Sequence, residues 1–186
     1  RNTDPRWSSR PYSDNMEFLI PAEGVEILLF AGPTMLEAIQ RFNLYNGGGA
    51  LPPRWGLGFW HRTPTLYSDR QVMSEVEEFR KREFPLTVIG LEPGWMSHAY
   101  PCSYEWDTTR FPDPAGFVKN LNDKHIKTNV WINPYISPAT ELYEKMEPYT
   151  ASHSVWCGIV PDYTLPEAQQ IADNHFKKNQ LDIGVS

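Results

Sequence analysis

Apolar residues along the chain recur in two rhythms, short unbroken runs and helical three- and four-residue spacings, and the two alternate. The run Leu86–Leu91 (LTVIGL) is bounded by Pro85 and by Glu92-Pro93-Gly94, the pattern of a strand buried on both faces. A second run, Thr128–Ile132, again ends in a polar residue plus proline, Asn133-Pro134. Between them Asp113 reads as an N-cap, Pro114 as the first helical residue, and Phe117, Val118 and Leu121 as one apolar face. Strand, long loop, helix and strand predict a right-handed βαβ unit with parallel strands. Glu92, Trp95, Trp131 and Asn133 fall at or just past strand ends, and parallel α/β sheets bind ligands along that edge.

The remaining pattern extends this unit in both directions. Met16–Ile20 and Val25–Phe30 read as short strands around the turn at 21–24. A helix follows, with a capping box at Thr34 and Glu37 and with Met35, Ile39 and Phe42 on one face; it stops at Asn46-Gly47-Gly48-Gly49. That glycine run, with Leu51-Pro52-Pro53 after it, divides the chain into residues 1–50 and 51–186. Downstream, Trp55–Trp60 (WGLGFW) reads as a strand, and Ser68 with Gln71 caps a helix carrying Val72, Val76 and Phe79. Ser137-Pro138 begins a helical stretch with Leu142, Tyr143 and Met146, and a connection through Ser154–Gly158 leads to a second capping box at Thr164 and Glu167. Its helix turns Ala168, Ile171, Ala172 and His175 inward, and Leu181–Val185 (LDIGV) reads as the next buried strand. The expected fold class is therefore α/β, with four parallel strands and four helices in 51–186. Four such strands do not close a barrel and would leave two open edges. A chain of 186 residues is also short of the roughly 250 of a complete (β/α)8 barrel, so the expectation is its first half, cut from a longer polypeptide.

Composition narrows the function classes. A net charge of -6 argues against a nucleic-acid footprint, and no apolar run is long enough to span a bilayer. No CxxC or HExxH spacing is present, so no metal and no cofactor is expected. The two cysteines, Cys102 and Cys157, fall in loops and are expected as unpaired thiols. Seven tryptophans are many for this length, and several sit at strand ends. Core side chains and sugar-stacking platforms are both open readings for Trp95 and Trp131. Likewise Glu92-Pro93-Gly94 reads as a plain turn or as part of a site, and Asn133 as a loop cap or a ligand.

The motifs LPPRWGLGFWHR, EWDTTRFPDPAGFVKNLNDKHIKTNVWINPYI and VWCGIVPDYTLPEA, in that order, resemble glycoside hydrolase family 31, the α-glucosidase and α-xylosidase family. AGPTMLEAIQRFNLYNG resembles the close of the family's preceding β-sandwich domain, which makes residues 1–50 the tail of a sandwich and 51–186 the first four β/α units of a TIM barrel. The resemblance implies a retaining α-glycosidase acting on terminal α-linked sugars of oligosaccharides or glycans. It implies an Asp nucleophile and an Asp acid/base beyond Ser186, and no catalytic residue within the chain. The alternative expectation is a sugar-binding barrel without the carboxylates. The implied contribution of this chain is one wall of the pocket for the non-reducing sugar, built from Glu92, Trp95, Trp131, Asn133 and Trp156. Trp156 matches the family's Trp-Pro-Gly segment. Asp182 lies near the amino end of a strand and is expected to be structural. Where the family carries a second Asp in its Asp-x-Asp-Tyr segment this chain has Gly94, and its Asp-Pro becomes Asn133-Pro134. That departure points away from glucose, towards galactose-type, N-acetylated or other modified α-glycosides, with Gly94 expected to leave room for an axial or substituted hydroxyl. The expected partners are a carbohydrate substrate and the rest of the polypeptide, which closes the barrel. Of the compartments, an extracytoplasmic one is the expectation.

Overall fold

The computed structural model describes Asp4–Trp7, Met16–Leu19 and residues 23–186. The chain forms two compact units, Arg1–Leu51 and Pro52–Ser186.

In the first unit β1 (Asp4–Trp7) pairs antiparallel with β2 (Met16–Leu19), in the register Asp4 opposite Leu19. The second is the strand expected at Met16–Ile20, and Ile20 lies outside the described residues. The sequence pattern predicts no element at the first. The strand expected over Val25–Phe30 does not form; these residues make no ladder, and Ile27 and Leu29 are exposed. A short apolar alternation makes a strand only where a neighbouring strand takes its backbone bonds, and none among the described residues does. Helix α1 (Met35–Tyr45) begins as expected, with Thr34 Oγ1 accepting from Glu37 N while the Glu37 carboxylate accepts from Thr34 N. It ends where Gly47 and Gly48 adopt φ of 87° and 86°, conformations that cost glycine little. Phe30 packs on Phe42 and Tyr45.

The second unit is built on a parallel sheet of order β3-β4-β5, comprising Phe59–Arg62, Leu86–Leu91 and Lys127–Val130. The strand expected at Trp55–Trp60 is shorter and starts later. Gly56 N and Gly58 N bond to the carbonyls of Pro53 and Trp55, which winds Arg54–Leu57 into a 3-10 turn. Gly58 is needed at the exit, because a Cβ there would lie 2.3 Å from the Thr87 hydroxyl. Helix α2 (Asp69–Lys81) starts at the Ser68–Gln71 capping box and α3 (Pro114–Asp123) at Asp113, whose carboxylate accepts from Gly116 N at 2.9 Å. Val72 and Val76 of α2, Phe117, Val118 and Leu121 of α3, and Ile89 and Leu91 of β4 are buried together. Burial of each such side chain is worth about 1.5–3 kcal/mol. His61 points from β3 to α2, with Nε2 2.5 Å from Glu75 Oε2. The alternate residues Arg62, Gly90, Glu92, Asn129 and Trp131 therefore share the opposite face of the sheet.

Beyond β5 the structure departs from the sequence reading. Helix α4 (Glu141–Met146) is capped by Thr140 rather than by Ser137-Pro138. The stretch read as a connection is a hairpin, β6 (Thr150–Val155) and β7 (Gly158–Pro161), with Trp156 and Cys157 at its tip. Helix α5 (Pro166–Phe176) has no side-chain cap at its N-cap Leu165; Thr164 instead bonds Asp162, its N–H at 3.0 Å and its hydroxyl at 2.6 Å. Ala168 and Ala172 of α5 are buried as expected.

The fourth strand does not form at Leu181–Val185. Lys177–Leu181 continues α5 as a π-helical turn, Asp182 caps it with its carboxylate 2.6 Å from Lys177 Nζ, and Leu181 is exposed. Gly184, at φ 100°, ends the helical path. Only then does Ser186 N reach the free edge of β5, donating to Thr128 O at 2.9 Å. The turn is tied to the loop after β4: Gln180 Nε2 donates to Tyr104 O and Trp106 Nε1 to Asn179 O, at 3.1 and 2.8 Å.

Candidate functional site

Three parallel strands end side by side, and the residues at their carboxyl ends converge on a pocket of about 290 Å³. Arg62, Gly90, Leu91, Glu92, Asn129 and Trp131 line it. Arg62 Nε donates to Glu92 Oε1 at 2.5 Å and Nη2 lies against the same oxygen. Glu92 is half-buried and Arg62 mostly exposed, so the pair stands at the rim with its second carboxylate oxygen uncommitted to Arg62.

The loop after β4 holds this edge in place. Asp107 N donates to Trp95 O at 2.8 Å, and Arg110, 2.7 Å from the Asp107 carboxylate, donates to Gly94 O and Met96 O. Burial pushes the Asp107 carboxyl up. The Thr109 hydroxyl and backbone, the Arg110 backbone N–H and the Arg110 charge outweigh it and hold the group below the usual carboxylate range.

Of the two readings open for Trp95, the structure places it in the core. It is 1% exposed, edge-on to Trp106, and its Nε1 donates to Trp131 O at 2.8 Å. It fixes the backbone from which Trp131 projects and presents no face to the pocket. Trp131 lines the pocket, half-buried, and continues into an aromatic chain: Tyr100 lies 5.2 Å from Trp131 and 5.1 Å from Trp156, which lies 5.4 Å from Tyr135. Trp156 and Tyr100 are both more than half exposed. Trp156 and Cys157 take φ of 49° and 62°, a left-handed hairpin tip that strains any residue with a Cβ and a bulky one most.

Asn133 does not reach the Glu92 pocket. Its Oδ1 caps the following turn by accepting from Tyr135 N at 3.0 Å, its carbonyl accepts from the Tyr104 hydroxyl, and its buried Nδ2 has no partner among the described residues. It lines a separate apolar recess of about 360 Å³ with Tyr104, Ile132, Pro134, Tyr163 and Phe176.

Gly94 corrects a further expectation. A Cβ built there would lie 1.8 Å from the Thr65 carbonyl oxygen, so the loop after β3 already fills the volume that the missing side chain was expected to vacate. No space for an axial hydroxyl opens at that point.

Sequence reasoning missed Arg62, Asn129 and Tyr100. The first two carry a readable signal, being polar residues on the same face of parallel strands as Glu92 and Trp131. Tyr100 sits in an irregular loop and carries none. Among the described residues no group of three or more His, Cys, Asp or Glu side chains could hold a metal ion, and no helix is long and apolar enough to cross a membrane. Cys102 is buried, its thiol pushed up by burial, and Cys157 is exposed; both are free.

Consecutive parallel strands joined through helices, with polar and aromatic side chains gathered at the carboxyl edge, define part of a β/α barrel, a fold class whose ligand sites lie at that edge. The chain belongs to glycosyl hydrolase family 31: residues 49–186 match the family's TIM-barrel domain. It is 33% identical over 180 residues to an alpha-xylosidase of Emericella nidulans, covering 89% of this chain and 23% of the relative. It is 32% identical over 134 residues to the alpha-xylosidase XylQ of Lactiplantibacillus pentosus, covering 71% of this chain and 18% of that protein. Among solved structures, a Flavobacterium johnsoniae GH31 dextranase complexed with glucose superposes with a TM-score of 0.68 at 27% identity, over 83% of this chain and 20% of that one. A GH31 alpha-xylosidase of Xanthomonas citri shares the fold, with a TM-score of 0.64 at 24% identity over 74% of this chain and 16% of that one. The chain thus spans less than a quarter of the length of these proteins.

Proposed function

We propose that this chain is part of a retaining α-glycoside hydrolase and forms one wall of the pocket for the non-reducing sugar. The observation that carries the reading is the convergence of Glu92, Trp131 and their neighbours at the carboxyl edge of the barrel strands, in a chain of this family. Glu92 accepts from sugar hydroxyls, Trp131 and Trp156 cover apolar sugar faces, and Trp95 acts from the core by positioning Trp131. Asn133 acts indirectly, through the turn it caps. The nucleophile and the acid/base are assigned to residues outside this chain, so the 186 residues alone should hydrolyse nothing. Residues 1–50 are assigned to the close of a preceding β-sandwich and 51–186 to the first units of the barrel. The Emericella match covers 89% of the chain and so reaches in front of residue 49, which supports a two-part reading.

The test is a panel of aryl α-glycosides (xylo, gluco, galacto and N-acetylgalacto) on the full-length protein, with the anomer of the released sugar followed by NMR. Hydrolysis of at least one with retention is expected. Hydrolysis of none, or release of the inverted anomer, overturns the reading.

A further inference from the structure

We propose that Arg62 is a sugar-recognition residue, acting with Glu92 as one donor–acceptor unit that grips two adjacent hydroxyls of an uncharged sugar. This inference rests on the α-glycoside reading above and adds to it a residue and a substrate class.

The sequence builds the unit deliberately. On β3 the alternation sends His61 to α2 and Arg62 to the pocket face, directly opposite Gly90 of β4. A glycine inside a strand weakens it, and one is kept there where something must pass close over the backbone. A Cβ on Gly90 would lie 3.3 Å from Arg62 Cγ. The bare backbone thus lets the arginine stem lie across β4 and bring its head to Glu92, two residues further along the same face.

The donor and acceptor count gives the ligand chemistry. Arg62 commits Nε and Nη2 to a single oxygen, Glu92 Oε1. Of the five N–H groups of a guanidinium, those on Nη1 and one on Nη2 remain, on a side chain that is 67% exposed. Glu92 keeps Oε2 as an acceptor. One hydroxyl can therefore donate to Glu92 while its neighbour accepts from Arg62, and both bonds are charge-assisted. The pair carries no net charge, so a neutral diol, which brings one donor and one acceptor and no charge of its own, leaves no unpaired charge in the site. Asn129 and Trp131 supply an amide and a ring on the same face, and about 290 Å³ is at the small end of ligand pockets, sized for one sugar unit.

The experiment uses the full-length protein, the best aryl α-glycoside of the panel and its monodeoxy analogues, with kcat/KM as one readout. Calorimetric dissociation constants of the matching methyl α-glycosides and of the methyl α-uronide are the second, since they read sugar binding without turnover. In the wild type, removal of either of two adjacent hydroxyls should cost about 10- to 150-fold, as expected for hydrogen bonds to charged groups. In Arg62→Gln one of those penalties should shrink to less than about threefold, and penalties at the other positions should stay. Glu92→Gln should erase its neighbour. Arg62→Lys keeps the charge without the fork, so it serves if Arg62→Gln fails to fold; it should lose the same penalty. Gly90→Ala, which pushes the Arg62 stem aside, should reproduce the pattern more weakly. A uniform loss across all analogues would mark Arg62 as merely structural and overturn the proposal. So would unchanged penalties in both Arg62 variants, or a uronide bound more tightly than the neutral sugar. If no glycoside is turned over but binding follows the deoxy pattern, the hydrolytic reading fails and the assignment of Arg62 stands. If binding shows no such pattern, the assignment fails whatever the turnover.

Discussion

Gly94→Ala is the substitution on which the sequence reading and the structure disagree most sharply. Read from the sequence, Gly94 is a side chain removed from a sugar pocket, and restoring a methyl should be cheap and should shift sugar preference. In the structure the methyl would stand 1.8 Å from the Thr65 carbonyl oxygen and 2.8 Å from its carbon. Backbone cannot rotate away as a flexible side chain can. Gly94 is itself anchored, its own carbonyl accepting from Arg110 Nε at 2.7 Å. Relief therefore means moving the loop after β3, the Pro93–Trp95 turn, or both. Overpacking usually costs about 1–3 kcal/mol and more where backbone has to shift, so a loss of about 3 kcal/mol or more is expected. Urea unfolding followed by tryptophan fluorescence measures it. With m of about 1–3 kcal/mol per molar for a small protein and more for a larger one, that loss moves the midpoint down by about 1 M, and by less the larger the unit that unfolds. Gly90→Ala is the internal comparison, because its nearest neighbour is a side-chain methylene at 3.3 Å that can give; less than about 1.5 kcal/mol is expected there. A Gly94→Ala protein with an unchanged midpoint and an altered sugar ranking would refute this account of the loop.

Four further outcomes are expected. Burial holds the His175 imidazole below its ordinary value, so the folded state binds fewer protons than the unfolded state below about pH 6.5. Its contribution is present above that pH and lost as pH falls through the folded value; urea midpoints at pH 7.5 and 5.5 should differ, and by less in His175→Gln. Burial and the nearby Glu141 raise the Glu105 carboxyl in the same pocket, which gives the opposite sign: stability is gained as pH falls through its folded value towards about 4.5. Glu105→Gln should therefore stabilise the protein at pH 7, read from the same denaturation curves. Cys157→Gly should raise stability by up to about 1 kcal/mol, since it relieves a left-handed backbone at an exposed position; a lower midpoint would contradict the strained-tip assignment. Asp182→Asn removes only an exposed ion pair with Lys177 and should cost less than about 1 kcal/mol. A loss of more than about a hundredfold in kcat with the fold intact would put Asp182 in the chemistry instead.

What the sequence made legible is what local chemistry decides. The caps at Thr34, Ser68 and Asp113 and the buried run Leu86–Leu91 lie where their residue types put them. Failures came where tertiary partners decide. LDIGV has the composition of a strand, yet α5 runs on through Lys177–Leu181 and only Ser186 reaches the β5 edge. Trp156-Cys157 carries no turn signature because the tip holds its geometry against local preference, and the hairpin around it went unread. Glu92 and Trp131 were legible as strand-end residues. That Trp95 turns inward and Asn133 caps its own loop depends on which neighbours arrive, Trp106 for one and Tyr135 for the other. Arg62 was hidden because its partner is thirty residues away in sequence and only the parallel register makes them neighbours.

The tie between the loop after β4 and the turn after α5 sets an order of events during synthesis. Tyr104 and Gln180 are 76 residues apart, and Trp106 and Asn179 are 73. The loop that anchors Trp95, and through it Trp131, is therefore missing two of its bonds until the ribosome has passed residue 180. At about 5–20 residues per second the wait is roughly 4–15 s. For that interval the loop after β4 stands without the two bonds that tie it to the turn after α5.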